Sequence, residues 1–328
     1  MKICENGSPE ERECALATLA LSERFRERRR LLAGLPLITP AGEKRRTVYD
    51  AQHRTALPGV LVRAEGDAAS GDSAVNEAYD GAGSTYDLYK DVYGRNSIDD
   101  RGMRLESSVH YGSGYDNAFW NGAQMVYGDG DRRLFERFTK AVDVIGHELT
   151  HGVTAQEANL NYQDQSGALN ESFSDVFGSL VKQRVLSHRV EEADWIIGEG
   201  LFTSKVHGVG LRSMKAPGTA YDDRVLGRDP QPAHMKDFVV TAEDDGGVHI
   251  NSGIPNHAFY LAAAAIGGYA WEKAGEIWYV TLKDRLGRNS NFADAARRTA
   301  AVSGELFGAG GREEKAVRDA WRQVGVLS

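Results

Sequence analysis

Apolar residues recur at helical spacing over much of this chain, and one such stretch carries polar residues on the face that should be buried. Leu169, Phe173, Val176, Phe177 and Leu180 fall three or four apart and predict a helix. Asn170, Glu171, Ser174 and Asp175 lie among them. Carboxylates are seldom buried without a partner, so Glu171 beside Asp175 calls for a cation. Elsewhere β-like patterning predicts short strands at 47–49 and 60–62, around a Pro58-Gly59 turn, and at 107–111 and 123–127. Residues 73 to about 92 read as a helix with Val75, Ala78, Tyr79, Ala82, Tyr86 and Tyr89 on one side. A polar, Gly-marked loop at 244–253 opens into a helix through Ala262, and later helices are expected near 272–285, 292–307 and 312–324. The stretch 188–233, rich in Gly, Asp and Pro, reads as irregular.

The N-terminal part follows a different pattern. Residues 8–33 read as one helix standing apart from the rest, with Ser8 as cap, Pro9 in the first turn and Glu11 at capping-box spacing. Its apolar stripe is modest, and the basic run from Arg24 to Arg30 reads as a solvated face. Gly34, Pro36, Pro40 and Gly42 mark a linker.

Composition narrows the partners more than the fold. The 328 residues suffice for one large domain or two lobes, and the net charge of −8 argues against a nucleic-acid partner. No apolar run reaches membrane-span length. Residues 1–7 lack the apolar core of a secretory leader, and the two cysteines, Cys4 and Cys14, cannot form a disulfide framework for the main body. The expectation is a cytoplasmic monomer, with non-classical secretion as the route if it is exported.

The chemistry concentrates in Val144-Ile145-Gly146-His147-Glu148-Leu149-Thr150-His151. On a helix, residues four apart share a face, so His147 and His151 can aim two imidazoles at one zinc ion. Glu148 lies close enough to act on a water without ligating the metal. Zinc is also the cation that the buried acids require, with Glu171 as third ligand and Asp175 and Asn170 orienting the imidazoles. The plain alternatives are a helix with two ordinary histidines and a surface helix with a few polar residues.

Taken together, Asn117-Ala118-Phe119-Trp120, His147 to His151, Asn170-Glu171 through Asp175, Leu211-Arg212-Ser213-Met214 and Gly247 to Gly253 resemble the thermolysin-like zinc metallopeptidases, most closely the protealysin-like subgroup. The resemblance covers residues 45–328. It implies an α+β fold of two lobes, β-rich at the N-terminus and mainly helical at the C-terminus, with the zinc cleft between. The divisions it implies are 1–42 as prosegment helix and linker, 43–155 as N-terminal lobe and 156–328 as C-terminal lobe. It further implies an endopeptidase cutting before bulky hydrophobic residues in protein or peptide substrates. Glu148 would be the general base, Tyr162 and His249 donors to the oxyanion, and Asp244 the group that holds His249 in its donating tautomer. Arg212 would grip a substrate carbonyl, Asn117 and Ala118 would pair with the substrate backbone, and Phe135, Phe138, Val144 and Leu211 would line the specificity pocket.

Two departures follow from the same resemblance. The family's calcium cluster would fall on Asp143, Asp194 and Glu199 plus Lys182, and an ammonium cannot ligate calcium. Calcium is therefore not expected there, and Val209 stands where a second calcium loop needs an acid. The prosegment is expected to be removed by the enzyme itself at the Leu37–Ile38 bond, with Arg45-Arg46 as the site for an outside trypsin-like protease. A zinc aminopeptidase is the rival enzyme reading, disfavoured because no acidic stretch for a free amine precedes His147. A catalytically dead binding protein is the rival from another class, disfavoured because every catalytic position holds a competent residue.

Overall fold

The computed structural model describes residues 2–32 and 43–328, with side chains of 27–32 excepted. Two helices come first, α1 (Lys2–Asn6) and α2 (Pro9–Leu32). The chain then forms β1 (Arg46–Asp50), β2 (Val60–Ala64), α3 (Ser73–Asp87), β3 (Leu105–Val109), β4 (Ala118–Trp120) and β5 (Met125–Tyr127). The five strands make one sheet in the order β2-β1-β3-β5-β4. The three inner strands are mutually parallel, and the two edge strands run antiparallel to their neighbours. β4 falls on the Asn117–Trp120 segment, which alternation alone did not mark as a strand. Asp72 caps α3, accepting from the Ala74 N–H at 2.8 Å.

From α4 (Val142–Gln156) onward the chain is mostly helical: α5 (Asp164–Leu186), α6 (Asp244–Asn251), α7 (Gly253–Ile266), α8 (Lys273–Asp284), α9 (Phe292–Phe307) and α10 (Arg312–Gln323). Between α5 and α6 lie short two-residue pairings, among them β6 (Ile196–Ile197) with β7 (Arg212–Ser213). Trp278 packs between Phe259 and Trp321, all three buried, and ties α7, α8 and α10 into one core. At the start of α6, Asp245, Gly246 and Gly247 all have positive φ, which the two glycines adopt without a Cβ penalty.

α4 and α5 approach unusually closely, and glycine permits it. A Cβ on Gly178 would lie 2.3 Å from the Asp143 carbonyl oxygen, and one on Gly146 would lie 3.0 Å from the Gly178 Cα. This contact sets His147, next to Gly146, against the polar face of α5.

The N-terminal helices do not stand apart. Ile3 and Ala15 are buried, and the Phe25 ring stacks on Phe119 of β4 with centroids 3.7 Å apart. Ser22 shares a hydrogen bond with the Tyr115 hydroxyl at 3.0 Å, and the Asp116 N–H donates to Thr18 Oγ1 at 3.1 Å. The weak stripe misled because the docked face of α2 is built from small and polar residues such as Ala15 and Thr18, both buried, whereas Leu16 is 58% exposed. The expected Leu37–Ile38 cleavage bond lies outside the described residues.

Candidate zinc centre and its surroundings

His147 and His151 sit one turn apart on α4, both buried, with their Nε2 atoms 3.1 Å from each other. Their other ring nitrogens are held from α5. His147 Nδ1 meets Asp175 Oδ1 and His151 Nδ1 meets Asn170 Oδ1, each at 2.8 Å. A carboxylate and an amide carbonyl accept only, so both rings donate from Nδ1 and present Nε2 lone pairs to the same point. Glu171 faces that point with its oxygens 3.4 Å from each Nε2. Its Oε2 is buried without a hydrogen-bond partner. Two imidazole nitrogens and a carboxylate oxygen facing one point form a donor set that fits zinc, whose structural chemistry is tetrahedral with N and O ligands.

Charge makes the same point. Burial alone would lower the His147 pKa, yet Asp175 and Glu171 push it up to about 10. A cluster that draws a proton this strongly stabilises any cation placed in it. Burial would raise Asp175, but Arg212 and His147 hold it down at about 2.

Asp175 is the hub of the surrounding network. Arg212, on β7, grips it with a bidentate fork at 2.8 and 2.7 Å, and Asn256 on α7 donates to it at 2.8 Å. The Asn256 contact had no sequence signal, because it joins residues 81 positions apart. Arg212, expected to face substrate, thus also anchors the residue that orients His147.

On the opposite wall, Glu148 accepts the Trp120 N–H at 3.0 Å and lies 3.9 Å from His147 Nε2. A backbone donor of β4 is invisible to motif reading. Tyr162 hydrogen-bonds Glu171 and lies 3.2 Å from His249 Nε2. Asp244 accepts from both the backbone N–H and Nδ1 of His249, at 2.8 and 2.6 Å. With Nδ1–H given to Asp244, donation from Nε2 requires the doubly protonated ring rather than a neutral tautomer. Burial opposes that state, and Glu171 with Asp244 raises the His249 pKa in its favour.

Phe135, Phe138 and Val144 are buried in one cluster with Leu211 packed against it, and Phe202, not anticipated, lies 5.6 Å from the Phe135 ring. Asn117, expected to pair with substrate, donates instead to Ser22 of α2 at 3.0 Å. At the far end of the α4–α5 contact, Lys182 Nζ lies 2.6 Å from Asp194, 3.1 Å from Glu199 and 3.5 Å from Asp143. The ammonium occupies the centre of the three acids, as the sequence suggested.

Comparison with known proteins agrees with this geometry. Residues 40–155 match the thermolysin metallopeptidase catalytic domain, and residues 158–326 match the thermolysin metallopeptidase alpha-helical domain. An extracellular metalloprotease of Pectobacterium carotovorum subsp. carotovorum is 52% identical over 99% of this chain and 93% of its own length. Protease PrtS of a Photorhabdus strain is 54% identical over 86% of this chain and 76% of its own. The solved precursor of protealysin, a metalloproteinase from Serratia proteamaculans, superposes with a TM-score of 0.91 at 54% identity, covering 99% of this chain and 97% of that one.

These relatives correct one expectation. A cytoplasmic location was inferred from the missing apolar leader in residues 1–7, but the Pectobacterium relative, aligned over almost the whole chain, is named extracellular. The homologues point to secretion, and an apolar leader is not the only sequence route to it. Both halves match the family's domains and half of all positions are shared with full-length metalloproteases, so the chain belongs to the thermolysin family of zinc metalloendopeptidases.

Proposed function

We propose that this endopeptidase cuts internal peptide bonds on the N-terminal side of bulky hydrophobic residues, with the roles divided as follows. His147, His151 and Glu171 hold zinc, and the carrying observation is that a Glu171 oxygen lies 3.4 Å from each Nε2, Oε2 being buried without a hydrogen-bond partner. Zinc bound there supplies Lewis acidity toward a water and the scissile carbonyl. Glu148 takes the nucleophile's proton and later delivers it to the leaving amine, with Trp120 N–H fixing the carboxylate's orientation. Tyr162 and protonated His249 donate to the oxyanion from one side of the cleft. Asp175, Asn170 and Asp244 position imidazoles and touch no substrate.

Preference follows from the apolar pocket of Phe135, Phe138, Val144 and Leu211, since burying a Leu or Phe side chain contributes about 1.5–3 kcal/mol. Residues 1–42 act as a prosegment, 43–155 as the N-terminal lobe and 156–328 as the C-terminal lobe. The neighbouring solved structure is titled a precursor. Here α2 lies along β4, and Ser22 takes the Asn117 amide that a substrate strand would use. Hydrolysis of blocked peptides with Leu, Phe or Gly after the scissile bond, with and without chelator, tests the reading. Equal rates for Leu and Gly would refute the pocket assignment, and chelator-resistant cleavage would refute the zinc mechanism.

A further inference from the structure

Three parallel strands, β1, β3 and β5, end side by side in the sheet, and each is followed within a few residues by a group able to ligate a metal. These are His53 after β1, His110 after β3 and Asp129 after β5. Backbone bonds lock the three strand ends together. The His53 N–H donates to the His110 carbonyl at 2.8 Å, and the Tyr111 N–H to that of Tyr127 at 3.0 Å. Both histidines hold left-handed backbone, with φ of 57° and 54°. Non-glycine residues adopt this conformation at a cost and are concentrated at functional sites.

We propose that His53, His110 and Asp129 form a second metal site, separate from the catalytic centre, for one divalent ion of the zinc class. The side-chain geometry supports it in detail. His110 Nδ1 lies 2.9 Å from both Asp129 oxygens, and His53 Nδ1 lies 3.6 Å from Oδ2. These spacings bracket the about 3.3 Å edge of a tetrahedron built with bonds of about 2.0–2.1 Å. The donors of the three residues all fall within 4.8 Å of one another. Two imidazoles and one carboxylate suit zinc, nickel or copper rather than calcium or magnesium, which prefer all-oxygen sets.

Asp72, the cap of α3, completes the arrangement. Its Oδ2 lies 2.7 Å from His110 Nε2, so it accepts the Nε2 proton and leaves Nδ1 as the ligating nitrogen. Without metal, His110 bridges Asp129 and Asp72 through its two ring nitrogens. Asp129 is nearly buried while His53 is exposed, which leaves an entry path and an open position for water.

The test uses the full chain as the Glu148→Gln variant, which cannot digest itself. Zinc per chain is measured by elemental analysis after equilibration at micromolar free zinc. The parent should hold about two ions and His53→Ala about one. Asp72→Asn should weaken the second ion roughly 10- to 100-fold. His53→Ala in the active enzyme should leave peptide hydrolysis unchanged, since His53 contacts Asp129 and His110 and none of the catalytic groups named above. Equal zinc content in parent and His53→Ala, whether one ion each or two, overturns the proposal.

Discussion

The two ends of the α4–α5 contact solve one problem in two ways. At one end Glu171 and Asp175 are buried among histidines, and at the other Asp143 is buried with Asp194 and Glu199 close by. Each end buries carboxylate charge, Glu171 and Asp175 at the first and Asp143 at the second, while Asp194 and Glu199 stay partly in water. The second end carries its own cation in Lys182. The first has Arg212, but that guanidinium is committed to Asp175, and the Glu171 oxygens face the Nε2 atoms of His147 and His151. Lys182 offsets the acids at one end, whereas at the other Glu171 and the two imidazoles together make a donor set that fits zinc. A family resemblance therefore has to be checked ligand by ligand, even within a single pair of helices.

The sharpest way to break this comparison is at the zinc end. Glu148→Gln is expected to keep the zinc and lose on the order of 10²–10⁴-fold or more in turnover, whereas Glu171→Ala should lose the metal itself. Zinc content and peptide hydrolysis, measured on the same samples, separate the two outcomes. A Glu148→Gln enzyme of near wild-type activity would remove the carboxylate from the mechanism.

Next in size is the conversion of one end into the other's logic. Lys182→Glu places four acids together with no cation and should destabilise by about 3–5 kcal/mol. Added calcium should restore much of the loss, because four carboxylates suit that ion. Thermal unfolding with and without calcium reads both effects. In the unmodified chain calcium should move the melting temperature no more than ionic strength does.

A smaller effect concerns pH beneath α2. The Asp116 carboxyl is pushed up to about 7 by burial, with Asp131 adding repulsion. An acid whose folded pKa exceeds its unfolded value of 3.8 binds a proton on folding, so the native state loses stability as pH rises from about 4 to 7. Asp116→Asn keeps an acceptor for the Asp131 N–H, found at 2.6 Å, and removes the charge. It should raise stability by on the order of 2 kcal/mol at pH 8 and change little at pH 3.5. An equal change at both values would show that ionisation is not the cause.

Legibility from sequence followed the range of each interaction. His147, Glu148 and His151 were readable because helical spacing fixes their relation, and Glu171 with Asp175 because polar residues interrupted an apolar stripe. Lys182 was readable through the resemblance, as a change of charge in an acidic set. The Trp120 N–H on Glu148 and the Asn256 amide on Asp175 were not, since a backbone donor has no letter and a distant amide has no spacing. The docking of α2 was hidden for a related reason. Its contacts rest on Thr18, Ser22 and Phe25, which share one helix face but include two polar residues, so no apolar stripe marks that face as buried.

The Ser22–Asn117 bond joins two parts of one polypeptide, and that fact governs how the block is lifted. While residues 33–42 remain intact, α2 is an intramolecular ligand of β4, with an effective concentration in the millimolar range for a short tether. Cutting the tether leaves every contact of α2 in place and changes only its molecularity. Release then depends on how dilute the protein is: a concentrated stock keeps its fragments bound, and the same sample spread into a large volume lets them go.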